Sequence, residues 1–346
     1  MSGTVVITGA GAGVGRATAV EFAHRGHNVA LLSRGEDRLA GAAREVRSFG
    51  REALPIPLDV ADAVAVEAAA ERIERELGEI DIWVNEAMAT IFAPVAEITP
   101  EEFRRVTEVT YLGQVYGTMA ALKRMRPRNR GVIVQVGSAL SYRAIPLQSA
   151  YCGAKFAIRG FTDALRSELA HEKSRVRITM VQLPAVNTPQ FDWARSRLPA
   201  RPQPIPPIYQ PEAIAREIVR AAIEVPRELW IGRSALKAIL GAMFVPRTLD
   251  LLLARDGYSG QMTSEPADRE RADNLFAPVP GDPGAHGRFD RPARADVVGF
   301  DPNLLRAGVL LGMIGALAGV FVFGRTSAAR ERPALRRIAR KEGHAR

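Results

Sequence analysis

Tyr151 and Lys155 stand four residues apart, and Ser138 precedes Tyr151 by thirteen. On a helix, that four-residue spacing puts phenol and amine on one face. A free tyrosine titrates at about 10, too high for a ready base at neutral pH. A neighbouring ammonium favours the phenolate and lowers that value. Tyr151 is therefore expected to give or take a proton as a general acid or base. Ser138 is expected to donate a hydrogen bond to a carbonyl or alcohol oxygen and hold it in place. Lys155 has further donors for the hydroxyls of a ribose.

A second constellation opens the chain, Thr8-Gly9-Ala10-Gly11-Ala12-Gly13-Val14-Gly15. It falls between an apolar run at 4–7 and an amphipathic stretch at 14–25, the pattern of a strand followed by a helix. Glycine lets the backbone turn tightly and come close to phosphate oxygens, and the next helix points free N–H groups at them. Thr8, Gly9, Gly11, Gly13, Val14 and Gly15 are thus expected to hold a dinucleotide pyrophosphate. An oxidised nicotinamide, once bound, would add positive charge beside Tyr151 and favour its phenolate.

The next strand ends at Ser33-Arg34. An acid there would accept from a free ribose 2′-hydroxyl. Arg34 can instead pair with a 2′-phosphate, and Ser33 avoids repelling it. NADP(H) is the preferred cofactor on this reading, with NAD(H) as the alternative. Asp59 and Val60 close the third apolar run, where they can meet an adenine ring. Asn85, Glu86 and Ala87 close the fourth, and Asn85 can fix the sheet edge beside the cofactor.

The elements that must position these residues alternate through about residue 232. Strands are expected at 4–7, 28–33, 54–58, 80–84, 131–136, 177–183 and 229–231. Helices are expected at 14–25, 36–49, 63–77, 100–125 and 151–171. Such βα alternation builds a parallel, doubly wound α/β sheet. Residues 184–211 hold eight prolines with Phe191, Trp193 and Tyr209. They follow a strand C-terminus, where open α/β sheets place ligands, so a substrate-covering loop is expected.

Together these residues resemble the short-chain dehydrogenase/reductase family. The resemblance covers about residues 1–232 and rests on 8–15, Asp59-Val60, Asn85-Glu86-Ala87, Ser138, Tyr151, Lys155 and Pro184-Ala185-Val186-Asn187-Thr188. It implies a Rossmann-like, seven-stranded doubly wound sheet and NAD(P)-dependent interconversion of alcohols and carbonyls. It also implies frequent homo-oligomers, and a Thr188 that bonds the nicotinamide carboxamide, with Pro184 beside it. Two positions depart from the family pattern. Met88 stands where the family has glycine, and Thr110 stands where it has an asparagine that holds a proton-relay water. Thr110 is expected to hold that water with its hydroxyl. Two rival readings remain open at this level: a cofactor-binding regulator or scaffold with weakened turnover, and a cofactor-retaining epimerase.

Composition bounds the rest. The chain has 346 residues, 47% of them hydrophobic, enough for one large domain and an extension. A lone cysteine, Cys152, excludes an internal disulfide and fits a reducing, cytoplasmic compartment. The formal charge of +9 is concentrated at the end, where residues 324–346 carry eight Lys/Arg against two Glu. Nucleic acid is therefore not an expected partner. The catalytic domain is expected over 1–235, an apolar helical segment over 236–255 and a flexible linker over 256–302. Residues 307–323 carry no charge, so a hydrophobic helix over 303–324 is expected as a membrane anchor, followed by a basic tail over 325–346. The substrate is expected to be an apolar alcohol or carbonyl compound. No metal site is expected.

Overall fold

The computed structural model describes residues 3–268, 270–304 and 307–308. Short β-branched and apolar runs form the central sheet: β1 (Thr4–Thr8), β2 (Asn28–Ser33), β3 (Ala53–Pro57), β4 (Ile80–Asn85), β5 (Val132–Ser138), β6 (Arg177–Leu183), β7 (Glu228–Ile231) and β8 (Gly299–Phe300). Their spatial order is β8-β7-β6-β5-β4-β1-β2-β3. The chain reverses direction across the sheet between β1 and β4, the switch point where such folds open a crevice.

The strands are apolar on both faces because both are covered. Val5 and Ile7 of β1 face one core with Phe22, Leu39 and Ile218, whereas Val6 faces the other with Val66, Ile73 and Val106. The first core packs under α1 (Gly13–His24), α2 (Glu36–Ser48) and the later helix Pro211–Glu224. The second packs under α3 (Ala63–Leu77), α4 (Pro100–Thr107), α5 (Gly113–Met125) and α6 (Ser149–His171). Helix starts are chemically marked. Asp62 accepts from the Val64 and Ala65 N–H groups at α3, and Thr99 forms a reciprocal cap with Glu102 at α4. The single helix expected over 100–125 is split by a π-type turn at Glu108–Leu112. Such turns often mark functional sites, and this one carries Thr110.

The expected seven-stranded parallel sheet is corrected in one respect. An eighth strand pairs antiparallel with β7, setting Trp230 opposite Phe300 and Ile231 opposite Gly299. Without it, β7 would present an unpaired edge. That strand comes from the stretch whose composition suggested a flexible linker. Residues 256–300 instead belong to the same compact unit as the sheet. They bury Leu275 and Gln261 completely and contribute Phe289 to a small apolar cluster with Phe92 and Phe191. Before them, Pro246 divides the apolar stretch into two helices, Arg233–Phe244 and Pro246–Asp256.

Residues 301–346 form a second unit. Within it, the Asn303 N–H donates to Asp301 Oδ1 at 2.8 Å. The hydrophobic helix expected over 303–324 lies outside the described residues except at 303, 304, 307 and 308, and the basic tail lies wholly outside them. Among the described residues, no helix is long and apolar enough to cross a membrane.

Candidate active site

One continuous cavity of about 460 Å³ opens at the C-terminal ends of the strands. Gly9, Gly13, Val14, Ser33, Arg34, Asp59 and Val60 line it from one side of the switch point, and Glu86, Ala87, Ser138, Tyr151, Lys155, Pro184 and Thr188 from the other. The remaining predicted site residues, Thr8, Gly11, Gly15, Asn85 and Thr110, stand behind this wall.

The glycine turn has the shape its sequence requires. Gly9 and Gly13 adopt φ of +76° and +57°, where a side chain is strained. A Cβ on Gly15 would lie 2.4 Å from the Gly9 carbonyl oxygen, so α1 can meet the turn only without one. Gly11 packs against Ser33 and Arg38 for the same reason. The backbone is thereby bared to the cavity ahead of a helix N-terminus, a fit for a pyrophosphate. Thr8 supports the turn from behind. Its hydroxyl accepts from the Glu86 N–H at 2.9 Å and the Ala87 N–H at 3.1 Å, tying β1 to the end of β4.

Asn85 is fully buried and works inside the sheet. Its Oδ1 accepts from Trp83 Nε1 at 2.8 Å, and its Nδ2 donates to Thr118 Oγ1 and Gln135 Oε1, both at 3.0 Å. Asn85→Leu would strand these partners in a low-dielectric core. We expect it to cost about 2–3 kcal/mol in denaturant unfolding, with Trp83 fluorescence as the probe. An unchanged midpoint would show that the network adds nothing.

Ser138, Tyr151 and Lys155 lie at the end of β5 and the start of α6. Ser138 Oγ accepts from the Leu140 N–H at 3.1 Å, which leaves its proton free to donate. Lys155 is buried, and its Nζ donates to the Val136 carbonyl at 2.6 Å. Two of its N–H donors remain for a ligand. The same Nζ lies 5.6 Å from the centre of the Tyr151 ring.

The phenol's charge state differs from the expectation. Burial pushes the Tyr151 pKa up, a hydrogen bond from Ser138 opposes this, and the Glu86 charge adds to the rise. Lys155 is itself lowered to about 8 by burial, with Glu86 pulling the other way. In the protein alone, Tyr151 is therefore a neutral phenol, set to donate a proton. The adjacent Cys152 is buried, which pushes its thiol up to about 11 and keeps it from acting as a nucleophile.

Thr110 is tied to the backbone of Ala89. Its hydroxyl donates to the Ala89 carbonyl at 2.8 Å and accepts from the Ala89 N–H at 2.9 Å. These buried backbone groups need partners, so the threonine proton is committed to them rather than to a relay water. Met88 sits on the cavity wall with φ outside the left-handed region, so its position does not require glycine.

Residues 3–198 match the family description "short chain dehydrogenase", more than half of the chain. The chain belongs to this family. It is an oxidoreductase fold of a kind that binds NAD(P). Among its relatives is the uncharacterized oxidoreductase YxnA of Bacillus subtilis (strain 168), 34% identical over 275 residues, spanning 79% of this chain and 77% of that protein. Another is the 3-dehydrosphinganine reductase of Danio rerio, 31% identical over 228 residues, or 64% of this chain and 68% of that protein. A solved alcohol dehydrogenase from the archaeon Thermococcus sibiricus, complexed with 5-hydroxy-NADP, superposes with a TM-score of 0.57 at 29% identity, covering 66% of this chain and 96% of that one.

This short chain dehydrogenase also builds its site from residues that sequence reasoning passed over. A strap at 273–282, beyond the family match, closes the side of the cavity that Ser33 and Arg34 line. Arg34 donates to the carbonyls of Asn274 and Leu275. Arg38 donates to those of Val279 and Gly281, and its guanidinium stacks 4.3 Å from the Trp193 ring centre. Arg105 bridges the Leu275 carbonyl and Asp59, and Arg16 pairs with Asp282 and Glu45. At the other end, Gln148 donates to Gln261 at 2.8 Å, and Ile145, Phe191, Ile205, Leu249 and Leu253 line the same cavity together with Arg143, Gln190 and Gln203. The Gly-, Pro- and Arg-rich composition of 256–302 concealed these contacts. The one available signal was a short apolar run, Leu275-Phe276-Ala277, after a charged stretch.

Proposed function

We propose that the chain is an NADP(H)-dependent reductase or dehydrogenase that interconverts an apolar carbonyl compound and its alcohol. The observation that carries this reading is the meeting of Ser138, Tyr151 and Lys155 with the glycine turn in one cavity. The bound nicotinamide supplies the hydride donor or acceptor. The protein's part is positioning and proton transfer. Ser138 and the neutral Tyr151 donate hydrogen bonds to the substrate oxygen, and Tyr151 releases its proton to that oxygen as the carbonyl is reduced. Lys155, anchored on Val136, holds the ribose hydroxyls beside the phenol. In the reverse direction Tyr151 accepts the proton.

An apolar substrate is supported by Ile145, Phe191, Ile205, Leu249 and Leu253 on the cavity wall. Names of relatives such as 3-dehydrosphinganine reductase point to the same class. The test is NADPH consumption with a series of ketones and aldehydes of increasing chain length. We expect kcat/KM to rise with apolar length. A preference for short, charged carbonyls would overturn the substrate class, and binding of NADPH without turnover of any of them would favour the regulator.

The NADP(H) preference is supported by Ser33, Arg34 and Arg38 on the cavity wall, with no carboxylate at the end of β2. Arg34 spends only part of its five donors on the strap carbonyls. Arg34→Ala is expected to weaken NADPH binding about 10- to 100-fold through the lost charged hydrogen bonds, and NADH binding far less. Equal losses for both coenzymes in a fluorescence titration would mean that Arg34 serves only the strap.

A further inference from the structure

Glu86 is an acidic group inside the coenzyme cleft that the proton-transfer scheme above does not use. Its backbone is fixed by Thr8, and its carboxyl lies in the notch left by two missing side chains. Oε2 stands 2.6 Å from where a Cβ on Gly9 would be, and 2.7 Å from the corresponding point on Gly15. No hydrogen bond or ion pair from any described residue reaches this carboxyl. Its neighbours are few. Lys155 and Tyr151 face it from α6, and their charges and its own act on one another. The glycine turn and α1 offer it only backbone groups, and Ala87, Met88, Ala89 and Thr110 carry no titratable side chain.

An unpartnered carboxylate here stands against the same turn that is shaped for a pyrophosphate. Two anions in one recess repel strongly, and the cheaper outcome is to neutralise the carboxyl by protonation. We propose that Glu86 takes up a proton as the dinucleotide binds, so that the coenzyme is held against a neutral carboxylic acid rather than a carboxylate. This rests on the reading that the cleft holds NAD(P)(H). As an acid, Glu86 also gains an O–H donor for a phosphate or ribose oxygen. Burial already raises its pKa to about 8 before any coenzyme arrives, with Lys155 pulling the other way. The sign follows. Below that value the proton is already present and binding is pH-independent. Above it, binding must draw a proton from solution, and affinity falls about tenfold per pH unit.

The test is the dissociation constant of NADPH between pH 6.5 and 9.5, by coenzyme fluorescence, for the wild type and Glu86→Gln. Proton uptake is counted by calorimetry in two buffers of different ionisation enthalpy. Glutamine mimics the protonated acid in size and charge. We expect the wild type to bind about fivefold more weakly at pH 9 than at pH 8, and to take up close to one proton at pH 9. Glu86→Gln should bind more tightly than wild type at pH 9, with a flattened profile. A flat wild-type profile, or a slope that survives unchanged in Glu86→Gln, would overturn the proposal. Absence of coenzyme binding at every pH would instead overturn the dinucleotide reading on which it stands.

Discussion

Tyr151→Phe is expected to lower kcat for carbonyl reduction by about 10²- to 10⁴-fold, the usual share of a positioned general acid. The substitution removes one oxygen from a half-buried ring that packs against the α6 side of the core, so the unfolding midpoint should move little. NADPH binding should also persist, because Lys155 takes its anchor from Val136 and not from the phenol. The variant therefore separates chemistry from binding. Wild-type Tyr151 has a further signature in pH. Burial raises its pKa above that of a free phenol, so the acid form needed for reduction persists across the neutral range. Reduction should be nearly flat there, whereas oxidation, which needs the phenolate, should accelerate as pH rises. Equal turnover in Tyr151→Phe and wild type would remove the tyrosine from the mechanism.

Gly15→Ala is expected to weaken coenzyme binding about 100-fold. The added methyl would meet the Gly9 carbonyl oxygen at 2.4 Å and Glu86 Oε2 at 2.7 Å. The first contact is with backbone, so no rotamer relieves it, and either α1 or the turn must shift. Overpacking of this kind costs about 1–3 kcal/mol, and a displaced turn no longer presents its N–H groups in register. Gly160→Ala is the control, since a Cβ there meets nothing within 4 Å and its φ lies outside the left-handed region. That change should be neutral or slightly stabilising in the middle of α6. A Gly15→Ala protein with wild-type affinity for NADPH would show that the close approach of α1 to the turn is not needed.

What was legible before the fold was known is the part governed by short-range geometry. A four-residue spacing puts Tyr151 and Lys155 on one helix face wherever that helix lies. A glycine run between an apolar strand and an amphipathic helix demands a tight turn whatever surrounds it. The short apolar runs and the 3.6-residue patterns through residue 232 placed β1 to β7 and most of the helices, because both sheet faces had to be covered.

The remainder depended on contacts that no local pattern encodes. Arg34 meets Asn274 and Leu275 across some 240 positions of chain, so its role at the coenzyme cleft is shared with a strap that composition presented as a linker. Thr110 looked free to hold a water until its hydroxyl was found closing the backbone of Ala89. Glu86 read only as one of three residues closing the fourth apolar run, yet packing sets its carboxyl in the space that Gly9 and Gly15 leave open. Sequence alone determined which groups can do the chemistry, since reactivity and helical spacing are local. Only the tertiary structure decided which of them remain free to do it, because burial, backbone demand for hydrogen bonds and mutual charge arise when distant segments meet.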